Sequence, residues 1–510
     1  MACATSAPVF ILWDFFFDSM GLFLTLLYIL TAYLGPQTLW GPLYEFHIEI
    51  ILATLAFAAS LPRIQQSKIF SIPQTYALVG MCIAVFCSMV LTGWLGSILP
   101  AVLGFIPNAF TFFLVVVNFR TKRHLQLLAL TLFIVSAYTI YRGYAALRVE
   151  DYLNPYLMPQ GDDEGSRFYR LRGMGFINDP NDFAQVMVSL IPCMFFFWKK
   201  GSLPRNVLLV LFPVGWLIFG MYLTHSRGGI IALLAVVLFG IRRKIGTIPA
   251  AILAGGLFAI TSVVGWSGGR DVSVEAGSGR MEAWAVGLDL IKSHPLFGVG
   301  FGRFGEYFFI TAHNTIVVCA AELGMFGLFW WVMFVLPTVR DAAVCTFSKK
   351  PKPVAEDEFS YDQSFGSRRQ PVAPLNRSPY QASAIEAVDA SVMLEEAEPG
   401  DREVATPPHL ALEPEEAQLP PPEEIERIAR LMLVSIIGYF VAGWFLSRAY
   451  IMTLFIYGGM VQVIYRMALI EKIAPPRMKP LKIVQYSAIG SIGLIFVVYI
   501  MLRLQHLGGH

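Results

Sequence analysis

The sequence predicts an all-α, polytopic integral membrane protein, and three observations carry that prediction. Of the 510 residues, 56% are hydrophobic and only 15% charged, with 40 phenylalanines among them, a mixture more apolar than a soluble domain can keep out of water. About thirteen stretches approach the roughly 20 apolar residues that a helix needs to cross a bilayer core. Short loops rich in Lys and Arg alternate along the chain with loops poor in them, which is the pattern that keeps the basic set on the cytoplasmic side.

The first apolar run, near 10–34, follows "MACATSAPVF", which has neither a basic stretch nor a convincing small-residue cleavage site. It is therefore read as a retained span and not a removable signal. Further spans are predicted near 46–62, 76–93, 99–118, 124–146, 183–198, 206–223, 229–241, 247–265, 314–338, 427–447, 450–464 and 483–502. The loops "PRIQQSK", "NFRTKRH", "KKGSLPR" and "RRK" define the inside. The N-terminus then lies inside, and a thirteenth span leaves the C-terminus outside. The outer face carries the long loops 148–182 and 266–312 and the short "THSRGG".

Residues 341–426 are different in kind. They are rich in Ala, Pro and Glu, ending "EPEEAQLPPPEEIER", and such a tract buries too little apolar surface to offset its ordering entropy. A disordered cytoplasmic insertion open to cytoplasmic partners is expected, with a small folded regulatory domain as the alternative. The chain thus divides into a membrane domain over 1–340, the insertion over 341–426 and C-terminal membrane helices over 427–510. The six cysteines show no CxxC pair and no histidine at metal-ligand spacing, so they read as packing residues and no metal site is expected. A net charge of +2 gives no support to a nucleic-acid partner.

Three groups of polar residues on the outer face are not explained by topology. "SRFYRLRGMGFINDPNDFA" holds Arg167, Arg170 and Arg172, then Asn178, Asp179, Asn181 and Asp182 before the next span. Helix capping explains Asp179, Asn181 or Asp182 as well as substrate binding does, with Pro180 suited to a first turn. In "THSRGG", Arg227 immediately precedes a span. An arginine within hydrocarbon costs about 2.5–3.5 kcal/mol even on the lenient insertion scale, so it either snorkels to the interface or faces a wet cavity or an anion. In "GSGRMEAW", Ser278 can cap a helix that carries Arg280 in its first turn, with Trp284 one turn further along the same face. Trp284 is therefore expected to hold the Arg280 guanidinium against its ring. The helix should end at His294-Pro295, after which the glycines of "LFGVGFGRFG" turn the chain back and "TAHNT" delivers His313 to the mouth of the next span. A lone histidine in such a loop is usually a capping or hydrogen-bonded one. Two arginines at the same membrane level instead suit a phosphorylated anion together with a proton transfer.

The ordered pieces "RGMGFINDPNDFA", "THSRGGIIALL", "GSGRMEAW", "HPLFGVGFGRF" and "AHNTIVVCAAELGMFGL" resemble the family of bacterial O-antigen ligases and Wzy-type polysaccharide polymerases over roughly residues 170–338. The resemblance implies a GT-C-type glycosyltransferase of the bacterial inner membrane. It would use an undecaprenyl-diphosphate-linked glycan donor on the periplasmic face and an acceptor hydroxyl on a glycan or a lipid core. It further implies inversion of the anomeric centre without a metal ion or cofactor. On this reading Arg227 and Arg280 are the two essential arginines and His313 the catalytic histidine, with Arg172, Asn181, Trp284 and Arg303 as substrate-binding residues. The long insertion and the thirteenth span depart from the family pattern. From another function class, a transporter or flippase for an anionic solute would use the same arginines as a translocation site.

Overall fold

The structure is a computed structural model that describes residues 7–36, 40, 46–160, 168–263, 266, 278–347 and 419–508. The predicted disordered insertion falls mainly on 348–418 and Arg167 on 161–167, both outside the described residues. Each predicted span coincides with a helix. In chain order these are α1 (Ala7–Leu34), α2 (Ile48–Ser60), α3 (Pro73–Leu91), α4 (Ile98–Asn118), α5 (Lys122–Arg148), α6 (Pro180–Met194), α7 (Phe212–Thr224), α8 (Arg227–Ile245), α9 (Thr247–Val263), α11 (Thr315–Thr346), α12 (Pro422–Gly443), α13 (Met452–Ile470) and α14 (Pro480–Gly508), with α10 (Ser278–Ser293) lying between α9 and α11. Among the described residues, eight helices are long and apolar enough to cross a bilayer.

The predicted spans that miss that criterion have local reasons. The apolar stretches Ser19–Leu34 of α1 and Thr247–Thr261 of α9 are short, α6 has only 15 residues, α8 ends in Arg242, Arg243 and Lys244, and α12 carries Glu423, Glu424, Glu426, Arg427 and Arg430. Yet α6 is buried from Asp182 to Met194 and touches α5, α7, α8 and α12. A helix apolar on every face belongs inside a bundle. Its few polar groups find partners there: Gln185 Nε2 donates to the Tyr439 carbonyl at 2.9 Å, and the Tyr457 hydroxyl donates to Ser189 Oγ at 2.9 Å.

Two features were not predicted. The loop at 148–182 contains an antiparallel hairpin, β1 (Leu157–Gln160) and β2 (Phe168–Leu171), which pairs Met158 with Arg170 and Leu157 with Leu171. Side chains alternate across a strand. Leu157 and Leu171 accordingly pack inward, while Met158, Gln160 and Arg170 share the other face. The second feature is a break in α11, where Gly324 has φ 66° and ψ −170°. Loop 295–300 fills the break. Met325 N–H donates to Pro295 O at 2.8 Å, Phe326 N–H to Leu296 O at 3.0 Å, Val299 N–H to Ala321 O at 2.9 Å and Gly300 N–H to Glu322 O at 3.0 Å. Irregular backbone at membrane depth survives only when protein satisfies its polar groups, and here "HPLFGVG" does so.

Candidate functional site

Three helices begin at one cavity. Helix α6 starts at Pro180 behind the N-cap Asp179, whose side chain accepts from Asn181 N–H at 2.7 Å. Helix α8 starts at Arg227 behind the N-cap Ser226, whose Oγ accepts from Gly229 N–H at 3.2 Å. Helix α10 starts at Ser278, two residues before Arg280. The first-turn N–H groups and the dipole of each helix favour negative charge at that end. Gly229 lets α8 approach α6, since a Cβ there would stand 3.1 Å from the Ala184 methyl group.

The cavity has a volume of about 320 Å³, and Arg170, Asp179, Asn181, Arg227, Arg280 and His313 supply its charged and polar walls together with Gln160. A narrower recess of about 30 Å³ shares Asn181, Arg227 and Arg280 and continues between the apolar Ala442, Phe445 and Leu446. The structure therefore brings Arg227, Arg280, His313 and Asn181 together. Arg280 has its guanidinium pKa lowered, first by burial and then by the neighbouring Arg227 charge. Two cations held that way are stabilised by an anion between them.

His313 is not a cap. Asn314 performs that role for α11, its Oδ1 accepting from Ile316 N–H at 2.9 Å and Val317 N–H at 3.1 Å. His313 stands one residue earlier with φ 45°, a left-handed conformation uncommon for residues other than glycine. Its backbone N–H donates to Ser447 Oγ at 2.8 Å, and that hydroxyl donates to Thr311 Oγ1 at 2.8 Å. Burial lowers the His313 pKa below its usual 6.5, and the Arg280 and Arg448 charges add to this while Asp179 opposes it. The imidazole is thereby held neutral near pH 7, the form that can accept a proton.

Other expected site residues stand elsewhere. Trp284 is buried, and its indole N–H donates to Ala312 O at 2.7 Å. It fixes the residue before His313 and does not line the cavity with Arg280. Arg172, one residue past the end of β2, leaves the strand's alternation, and its Nε donates to Pro155 O at 2.8 Å, outside the cavity walls. The arginine of that loop that enters is Arg170, with Nε on Thr224 O at 2.8 Å, one terminal nitrogen on Gln160 Oε1 at 2.7 Å and the other on Asn181 Oδ1 at 2.9 Å. It ties the hairpin to the ends of α7 and α6. Arg303 lies over the Trp94 ring at 4.0 Å and donates to Ser97 Oγ at 2.6 Å, outside the cavity walls. Glu322 accepts from Phe304 N–H at 3.5 Å, which holds the turn after the re-entering loop. Two neighbouring histidines have local partners: His225 Nδ1 is 2.9 Å from Trp266 O, and His294 Nδ1 is 3.0 Å from Ser293 Oγ.

Sequence reasoning missed Arg448. It pairs with Asp182 at 2.5 Å, joining the α12–α13 loop to the first turn of α6. The signal was available, because Arg448 is an arginine between two predicted spans on the outer side, as Arg227 is. No curated protein matches the chain. Residues 212–332, which hold Arg227, Arg280 and His313, match the family model described as O-antigen ligase.

Proposed function

We propose that this O-antigen ligase-type membrane enzyme transfers glycan from an undecaprenyl-diphosphate carrier to an acceptor hydroxyl, on the periplasmic side of the bacterial inner membrane. The observation that carries the proposal is the convergence of Arg227, Arg280 and His313 on one cavity. Arginine forks bind phosphate oxygens bidentately. Arg227 and Arg280 hold the pyrophosphate, and Arg170 and Asn181 shape the wall beside it. Neutral His313 takes the proton of the acceptor hydroxyl as that oxygen attacks the anomeric carbon. The bond from that carbon to the pyrophosphate oxygen breaks, and the leaving group departs with the electron pair onto the arginine pair. Attack opposite the leaving group inverts the anomeric centre. The arginines and helix N-termini supply positive charge where other phosphoryl-leaving sites use a metal cation.

The test is transfer from a lipid-linked donor by full-length variants that insert and fold. His313→Ala should lower the rate by about 10²–10⁴, the usual contribution of a positioned general base. Arg227→Lys, which keeps the charge but loses the fork, should also be defective. Near-normal transfer by folded His313→Ala would remove the general-base role. Donor-independent uptake of a small anion into vesicles would favour transport instead.

A further inference from the structure

A second cavity lies at the other end of α6. The first is built at Asp179–Asn181, and the second at Trp198–Lys200, just beyond the helix. A helix of 15 residues separates them by about 22 Å at 1.5 Å per residue. The second has a volume of about 340 Å³ and is lined by Lys122, Lys199, Lys200, Arg205 and Arg427, with Glu424 its one carboxylate and Trp198 its one ring.

The cluster is constructed. Lys199 N–H donates to Asn206 Oδ1 at 2.9 Å, and Asn206 Nδ2 returns a bond to Lys199 O at 2.7 Å, so residues 199–206 form a closed turn. Arg427 donates to Phe195 O at 2.8 Å, tying α12 to the end of α6. Glu424 is already engaged, by Lys122 at 2.6 Å and by Arg427 Nε at 2.7 Å. Among the described residues no carboxylate pairs with Lys199, Lys200 or Arg205. Cytoplasmic loops are basic as a rule, but that rule does not gather cations from three separate elements around one hollow and leave three of them without a counter-charge.

We propose that this cavity holds the phosphate of an anionic membrane lipid. The surface below it favours a lipid over a free anion. Leu203, Val207, Leu208, Leu211 and Phe212 are exposed and recur at helical spacing, so an apolar face runs from the rim of the cavity along the helix that leads into α7. A headgroup seated on Lys199, Lys200 and Arg205 has room for its acyl chains along that face. Trp198 stands at the rim, with a ring suited to the boundary between headgroup and hydrocarbon. The inference is independent of the proposed glycosyl transfer.

The full-length chain in non-ionic detergent is titrated with phosphatidylglycerol, phosphatidylcholine and inorganic phosphate, and bound lipid is counted by native mass spectrometry. Phosphatidylglycerol should bind at least about tenfold more tightly than phosphatidylcholine, given the attraction expected for each added cation near an anionic headgroup. The variant K199Q/K200Q/R205Q should lose that preference, and excess inorganic phosphate should leave the lipid bound. Equal binding of the two lipids overturns the proposal, as does displacement by inorganic phosphate, which would assign the site to a free anion. If the triple variant folds poorly, K200Q and added salt on the unchanged chain probe the same charges. A preference insensitive to both also overturns it.

Discussion

His313 can act as a base at neutral pH because its surroundings penalise the imidazolium. Burial is the largest cause, followed by Arg280, while Asp179 works the other way. The folded pKa therefore lies below 6.5, and the acid limb of the kcat/KM profile should lie below that pH. Asp179→Asn isolates one contribution, since asparagine caps a helix about as well as aspartate but carries no charge. Without the group that raises the His313 pKa, the limb should move to lower pH; a limb that stays or moves upward would mean that His313 does not govern it. At this scale the sequence was legible where a residue contradicted its setting. Arg227, Arg280 and His313 stood out as charges at the wrong membrane level, and they do line one cavity. Arg448 carried the same signal unread. The choice of Arg172 over Arg170 depended on where β2 ends, since Arg170 lies within the strand and Arg172 just beyond it, and a four-residue strand is too short to place in a loop from sequence.

Helices were the legible elements, because apolar length is a strong signal. The break in α11 was not, because "AELGMFGL" reads as continuous apolar helix and only tertiary hydrogen bonds to loop 295–300 reveal it. Gly324 makes that break. Its φ of 66° and ψ of −170° fall in a region essentially confined to glycine, and forcing another residue there costs about 1–3 kcal/mol. A Cβ would also stand 2.2 Å from the Leu296 carbonyl oxygen, which is backbone and cannot swing aside. Gly324→Ala should therefore destabilise the protein by about 3 kcal/mol or more, read as a lower thermal midpoint in detergent. Because loop 295–300 leads towards His313, transfer should fall with it. A variant of unchanged midpoint would show that α11 runs straight at this point.

The two parts of the chain on either side of residues 348–418 form one compact unit. Helix α12 packs against α6, α8 and α11, α13 against α4 and α11, and α14 against α10 and α11. Polar contacts cross the same division: Tyr33 with Thr453 at 2.7 Å, Trp331 Nε1 with Ala449 O at 2.9 Å, and His313 N–H with Ser447 at 2.8 Å. The last of these means that the C-terminal part positions the proposed base although its own sequence carries none of the matched family segment. Composition marked the insertion, but not that the helices beyond it complete the site, because such a role is written in contacts and not in periodicity. Buried contacts of this kind hold whether or not a peptide link joins the parts. Fragments 1–380 and 381–510, co-expressed with a tag on one, should copurify and keep most of the transfer activity, whereas 1–380 alone should be inactive. Fragments that fail to copurify would show that the covalent connection, and not the packing of α12 to α14, holds the two parts in register.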